Sequence, residues 1–343
     1  MIAEDTKGGS TPSQTVAERS KKPWLRLILS LLLSLLGIWF VVRDVNLVEL
    51  RAAFAGARLE YVVLGLTIMT TTMVSKAWRW RLMFAGAGHE RPPLRQLFWA
   101  LSLGQLVNTA VPFLRLGEVA RVVELGARTN ESRAKALGTL VVEKTLDLIM
   151  LVLMLGLLLP FLVIPDFMDQ SGIAMAIVSG AVLLALITLA LKPNLALVFA
   201  RQAIRPLPKP LAERAYAILV AGLEGLAGLR RATTIFTLLV ASAIIAFLAV
   251  MTPWVLFPAV DISLGLAPAA AIHVVLTAGT VPPSTPAKVG VFEFLVAFML
   301  RFFGLENSAT IVAYTIIYHL VVVIPQIVLG GIAAARRSNR DRV

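Results

Sequence analysis

The chain has no cysteine among its 343 residues. Disulfides, thiolate nucleophiles and iron–sulfur clusters are therefore excluded. Histidine is nearly missing too: His89, His273 and His319 are too few and too scattered for a zinc or two-metal centre. No cofactor is implied. No Gly-x-x-x-x-Gly-Lys-[Ser/Thr] segment occurs, so the phosphate cradle of a P-loop ATPase is missing. Charge is scarce, at 15% of residues against roughly 25% in soluble domains. No polar stretch is long enough for a second folded domain.

What is present is apolar. Hydrophobic residues make up 58% of the chain, and several runs reach the ~20 residues that a spanning helix needs. The run 24–42 exceeds the roughly 7–15 apolar residues of a signal-peptide core and reads as an uncleaved first span. The chain then divides into a disordered cytoplasmic tail (1–23), a transmembrane domain (24–335) and a basic cytoplasmic tail (336–343). The net charge of +12 is concentrated at the ends of apolar runs. That distribution fits cytoplasmic loops against anionic lipid headgroups, with no nucleic-acid partner.

Apolar runs lie near 24–42, 60–77, 94–111, 136–164, 172–191, 234–252, 268–281, 291–303 and 309–334. Both tails are basic and belong in the cytoplasm. The connection after 136–164 carries Asp166 and Asp169 without Lys or Arg, so it faces outward. The stretch 193–231, with Arg201, Arg205, Lys209, Arg214, Arg230 and Arg231, reads as an amphipathic helix on the inner leaflet. Residues 43–59 read as a short surface helix outside. Trp78, Arg79, Trp80 and Arg81 read as an anchor at headgroup depth.

Two apolar segments are interrupted. The first break holds Asn108, Pro112, Arg115, Gly117, Glu118 and Arg121; the second holds Pro282, Pro283, Pro286, Lys288, Gly290 and Glu293. Cations flank both ends of the segment 94–127, so it enters and leaves on the inner side. By parity, 268–303 enters and leaves on the outer side. The fold expected is an all-α integral membrane protein. It has about six full spans and two oppositely oriented re-entrant hairpins, an inverted-repeat arrangement whose broken tips mark a transporter's binding site. The alternative is eight or nine plain helices with proline kinks.

The run 136–164 contains Glu143, Lys144 and Asp147. At about 1.5 Å per residue, Asp147 stands some ~16 Å into the helix, near mid-bilayer. Each such charge costs about 2.5–3.5 kcal/mol at the centre of a span. The costs are bearable if Lys144 pairs with a carboxylate and Arg115 or Arg121 faces the others. In each hairpin the second arm starts just after the break, so its N-terminal amides favour an anion. Arginine grips phosphate with two parallel hydrogen bonds. Glu118 and Glu293 also suit those helix starts as capping acids. Asn108 either caps freed backbone groups or lines the cavity. Tyr318 and His319 on the last run are either a proton relay, with Glu143, Asp147 and Glu293 as further proton carriers, or packing residues.

With these motifs the chain resembles the flippase-like membrane family that includes the transmembrane region of lysylphosphatidylglycerol synthase. The likeness is carried by Trp78 to Arg81, the first break from Asn108 to Arg121, Glu143 with Asp147, and Pro286, Gly290 and Glu293. It covers most of residues 60–335. Relatives often carry arginine where Lys144 stands, and their second break commonly reads Pro-Gly-Gly, whereas Ala287 and Lys288 follow Pro286 here. The resemblance implies lipid transport in a bacterial inner membrane, with an anionic headgroup as partner. No aminoacyl-transferring domain is expected, so lysyl transfer is not implied and the chain is not read as an enzyme. Two other readings stand beside transport: an enzyme acting on lipid headgroups with Glu143 or Asp147 as base, and a scaffold of a lipid-synthesis complex.

Overall fold

Backbone amides in hydrocarbon must bond within their own segment, and among the described residues every regular element is helical, with no strand. The computed structural model describes residues 23–43, 45–84, 91–111, 116–129, 133–162, 213, 232–280 and 285–340. The tail before residue 23, the run 172–191 and the amphipathic stretch 193–231 (Glu213 apart) lie outside the described residues. So do Pro112, Arg115, Pro282 and Pro283.

Ten α-helices are described: α1 (Pro23–Val42), α2 (Leu47–Ala55), α3 (Leu59–Met83), α4 (Leu94–Ala110), α5 (Leu116–Arg128), α6 (Arg133–Leu162), α7 (Ala232–Leu256), α8 (Leu266–Gly279), α9 (Val291–Phe302) and α10 (Ser308–Arg340). Among the described residues, two stretches are long and apolar enough to cross a membrane, Thr233–Val260 and Ser308–Ser338. A third joins them if α2 and α3, bent by 76° against each other, form one span.

Helix ends follow the local chemistry. Asn46 starts α2 by accepting from the Val48 amide at 2.9 Å. At the α2–α3 corner the Arg58 amide donates to Ala259 O at 2.9 Å, and its guanidinium pairs with Asp261. That fastens the corner to the end of α7. Along α3, Thr67, Thr70, Thr71 and Thr72 each return their hydroxyl to the carbonyl four residues back, so no side-chain donor is stranded on an apolar helix.

The two interrupted segments both fold back on themselves. Helices α4 and α5 pack along each other with bare backbone at the seam. A Cβ on Gly117 would stand 2.0 Å from Gly104 O, and one on Gly104 would stand 2.6 Å from Gly117 O. Helices α8 and α9 form the second pair, with Leu295 filling the space left by Gly279.

Helix α10 shows how the pairs are set. Near its last turns, Arg336 stacks on Trp99 at 4.0 Å and Arg337 approaches Glu124 at 3.7 Å, both at the base of the α4–α5 pair. Higher up, Gly330 admits Leu106, and Gln326 Oε1 accepts from Thr109 Oγ1 at 2.7 Å, next to that pair's tip. Further toward its start, His319 meets Ala287 and Glu293 at the tip of the α8–α9 pair. That pair's base lies beyond, where Arg301 donates to Ser308 Oγ at 3.3 Å. The pairs thus run along α10 from opposite ends, and their tips converge at its middle. The short 3₁₀ turn Pro286–Lys288 packs directly on α4. Two apolar cores divide the same way. One gathers around Phe257, Phe292, Val296, Tyr314 and Tyr318, the other around Met73, Trp80, Leu97, Leu101, Leu125 and Leu146.

Candidate functional site

Helix periodicity places Lys76, Arg79 and Trp80 on the inward side of α3, against α6, and the charges expected there find partners. Arg79, only 2% exposed, donates to Asp147 Oδ1 at 2.6 Å and to Ser242 Oγ at 3.0 Å. Arg121, 6% exposed, donates to Glu143 Oε2 at 2.9 Å and lies 4.9 Å above the Trp80 ring. Lys144 Nζ stands 3.3 Å from Glu118 Oε1, a point-charge contact that does not need a guanidinium fork.

The expected pairing of Lys144 with a carboxylate, and of Arg121 with another acid, is what the structure contains. The partner of Asp147 is different. It is Arg79, from the Trp-Arg-Trp-Arg segment read as a headgroup anchor. That reading is corrected for Arg79 and Trp80: Trp80 is fully buried, and its Nε1 donates to Thr139 Oγ1 at 2.8 Å. Of the two indoles only Trp78 is exposed. A buried arginine is stable here because an acid on α6 meets it, a relation 68 residues away in sequence.

No sequence pattern singles out Lys76, a further cation on α3. It sits one turn before Arg79, within electrostatic reach of Asp147, Glu143 and Lys144, and of His273 on α8. The three acids Glu118, Glu143 and Asp147 each take one of the cations Lys144, Arg121 and Arg79. Among the described residues Lys76 has no direct ion pair. The Nε atoms of Arg79 and Arg121 are buried donors without a hydrogen-bond partner.

At the first tip, Asn108 caps freed backbone, one of the two roles expected of it. Its Oδ1 accepts from the Gly117 amide at 2.8 Å and its Nδ2 donates to Glu118 Oε2 at 3.2 Å. The Gly117 amide, expected to be open to an anion, is thereby already used. Glu118 stands in the first turn of α5, as expected of a capping acid, and also meets Asn108 and Lys144. Pro112 and Arg115 lie outside the described residues.

The second tip is built from left-handed backbone. Ala287, Lys288 and Gly290 have φ of 53°, 63° and 90°, a conformation that costs roughly 1–2 kcal/mol for a residue with a Cβ. So the glycine-like shape is kept where this chain has alanine and lysine. Pro286 opens the turn. Thr285 Oγ1 donates to Val289 O at 2.6 Å and the Lys288 amide donates to Thr285 O at 2.8 Å, which holds the strained residues in place. Helix α1 braces the outside: Ser34 Oγ and Thr285 Oγ1 are 3.0 Å apart, and a Cβ on Gly290 would lie 2.3 Å from Ser34 O.

Glu293 accepts from the Gly290 amide at 2.6 Å, the capping role expected of it. Its other oxygen meets His319 Nδ1, while His319 Nε2 donates to Ala287 O at 2.9 Å. The ionic partner of Glu293 is His319, and Lys288 Nζ donates to Thr280 Oγ1 at 3.0 Å. The His319 ring stacks on Phe292 with centroids 4.4 Å apart, and Tyr318 packs on the same Phe292. Tyr318 is therefore a core residue beside the pair.

No curated protein matches the chain. The family described as the lysylphosphatidylglycerol synthase TM region matches residues 27–330. That match covers most of the chain, and with the apolar helices it makes this a multi-helix membrane protein. The chain belongs to the lysylphosphatidylglycerol synthase TM region family.

Proposed function

We propose that the protein carries lipids with an anionic headgroup between the leaflets of a bacterial plasma membrane. Phospholipid, hopanoid and polyprenyl-linked lipids are the candidate cargoes. The observation that carries the reading is the convergence of two hairpin tips at the middle of α10, beside a cluster of four cations and three acids in which Arg79, Arg121 and Glu143 are buried. In this reading the chain crosses the membrane six times with both termini in the cytoplasm. The α4–α5 and α8–α9 pairs are re-entrant from opposite faces, an inverted repeat with its site at the midplane.

Lys76 is the headgroup's counter-ion. An uncompensated cation at mid-membrane costs about 2.5–3.5 kcal/mol, and an arriving phosphate or carboxylate relieves that cost. Lipid tails stay in hydrocarbon while the headgroup passes along the polar seam. Transport rather than chemistry is proposed because Glu143 and Asp147 are each held by a guanidinium. That arrangement suits fixed charge better than proton abstraction from a substrate.

The test is reconstitution of the purified protein into vesicles carrying fluorescent phosphatidylglycerol or phosphatidylcholine in the outer leaflet. Dithionite quenching reports how fast each label crosses. The proposal expects the anionic label to cross at least tenfold faster than in protein-free vesicles, with a smaller gain for the zwitterionic one. Equal rates with and without protein, for phospholipid, hopanoid and polyprenyl probes alike, would overturn it.

A further inference from the structure

Two acceptors face the ring of His319. Ala287 O can only accept, so Nε2 must carry a hydrogen. Nδ1 faces a carboxylate oxygen of Glu293. A neutral ring with its hydrogen on Nε2 has a lone pair on Nδ1, and an ionised carboxylate offers another lone pair. The contact therefore requires one further proton, on Nδ1 or on the carboxyl. When it leaves to water, two acceptors are left face to face.

We infer that His319 and Glu293 together bind one exchangeable proton, and that this proton fastens the tip of the α8–α9 hairpin to α10. Proton loss releases the tip, so the coupling ion for movement of this hairpin is H⁺. The inference rests on the transport reading for its purpose, but the proton-held contact is a property of the fold alone.

The surroundings isolate the pair. Tyr318 and Tyr314 are the titratable neighbours on α10; Tyr314 is engaged, donating to Pro253 O at 2.7 Å. The hairpin brings Lys288, which donates to Thr280, and α9 brings Arg301, which donates to Ser308. From α3 the inward cations Lys76 and Arg79 gather at Asp147. Helix α1 offers Ser34, and α4 offers Asn108 and Thr109, all uncharged. The electrostatic partner of Glu293 is His319.

The cysteine-free chain makes the experiment direct. Nitroxides on Val289→Cys and Leu320→Cys report tip separation by spin–spin broadening, and ¹⁵N histidine spectra, assigned with His319→Gln, report the ring. In detergent, broadening should disappear over the same pH range in which the His319 Nδ1 signal changes. Glu293→Gln should keep the tip closed at every pH, because its amide can accept from Gly290 and donate to a neutral ring. His319→Ala should leave it open throughout.

Broadening that is constant from pH 5 to 9 in the parent protein, or still pH-dependent in Glu293→Gln, would overturn the inference. In vesicles, a closed-to-open transition without lipid movement supports the proton-held contact and rejects transport. Lipid movement without any transition rejects the contact and leaves transport standing.

Discussion

His319 and Gln326 stand about two turns apart on α10, roughly 10 Å along the helix, and each fastens the tip of a different hairpin. His319 holds Ala287 and Glu293; Gln326 holds Thr109. One helix thus touches both tips, and a change at either residue should be felt by one tip alone.

Arg121→Met should remove the guanidinium from Glu143 and from the Trp80 face. Because both charged side chains are almost fully covered, a loss of about 3–5 kcal/mol is expected, read as a large fall in the detergent melting temperature. Arg121→Met combined with Glu143→Leu should recover most of it. If the double variant is no better than the single, the buried pair is not the source of the loss.

Gly117→Ala should be poorly tolerated, since its Cβ would meet the Gly104 carbonyl. Expected is a loss of at least ~1–3 kcal/mol, the usual cost of overpacking. Gly138→Ala is the control. That glycine is helical and a Cβ there meets nothing within 4 Å, so a gain of about 0.5–1 kcal/mol is expected. Thermal unfolding of both variants checks the contrast.

Ala287→Gly should stabilise the second tip by about 1 kcal/mol, since it relieves a left-handed residue bearing a Cβ. Gly290→Ala should do the opposite, by clash with Ser34 and by strain. Melting curves that rank these two variants the other way would show that the tip is not held in this backbone shape.

Lys76→Gln should slow anionic-lipid movement at least tenfold while protein yield and melting temperature hold, because among the described residues no direct ion pair is lost. Lys76→Arg should retain most of the rate. A Gln variant as fast as the parent would remove Lys76 from the site.

Much of the fold is legible in the residues themselves. Runs of apolar residues announced the helices, and Pro286 with Gly290 announced the turn at the second tip. Glu143 and Asp147 announced an ion-pair cluster, because acids are too costly in an apolar span to be incidental. Arg79 was not readable in the same way. Arginine between tryptophans at the end of an apolar run also describes a headgroup anchor, and only the α3–α6 packing separates the two. Lys76 was hidden because its role depends on which acids other cations take. The His319–Glu293 contact links two helices, and neither residue's local pattern names the other.

Pro325 lies inside α10, between the two fastening residues and next to Gln326. Its ring removes one rung of the backbone ladder and crowds the carbonyl four residues back. The backbone ladder of α10 is therefore one rung short between the two places where the tips are fastened. The early part of the helix carries the contacts to the α8–α9 tip, and the later part those to α4.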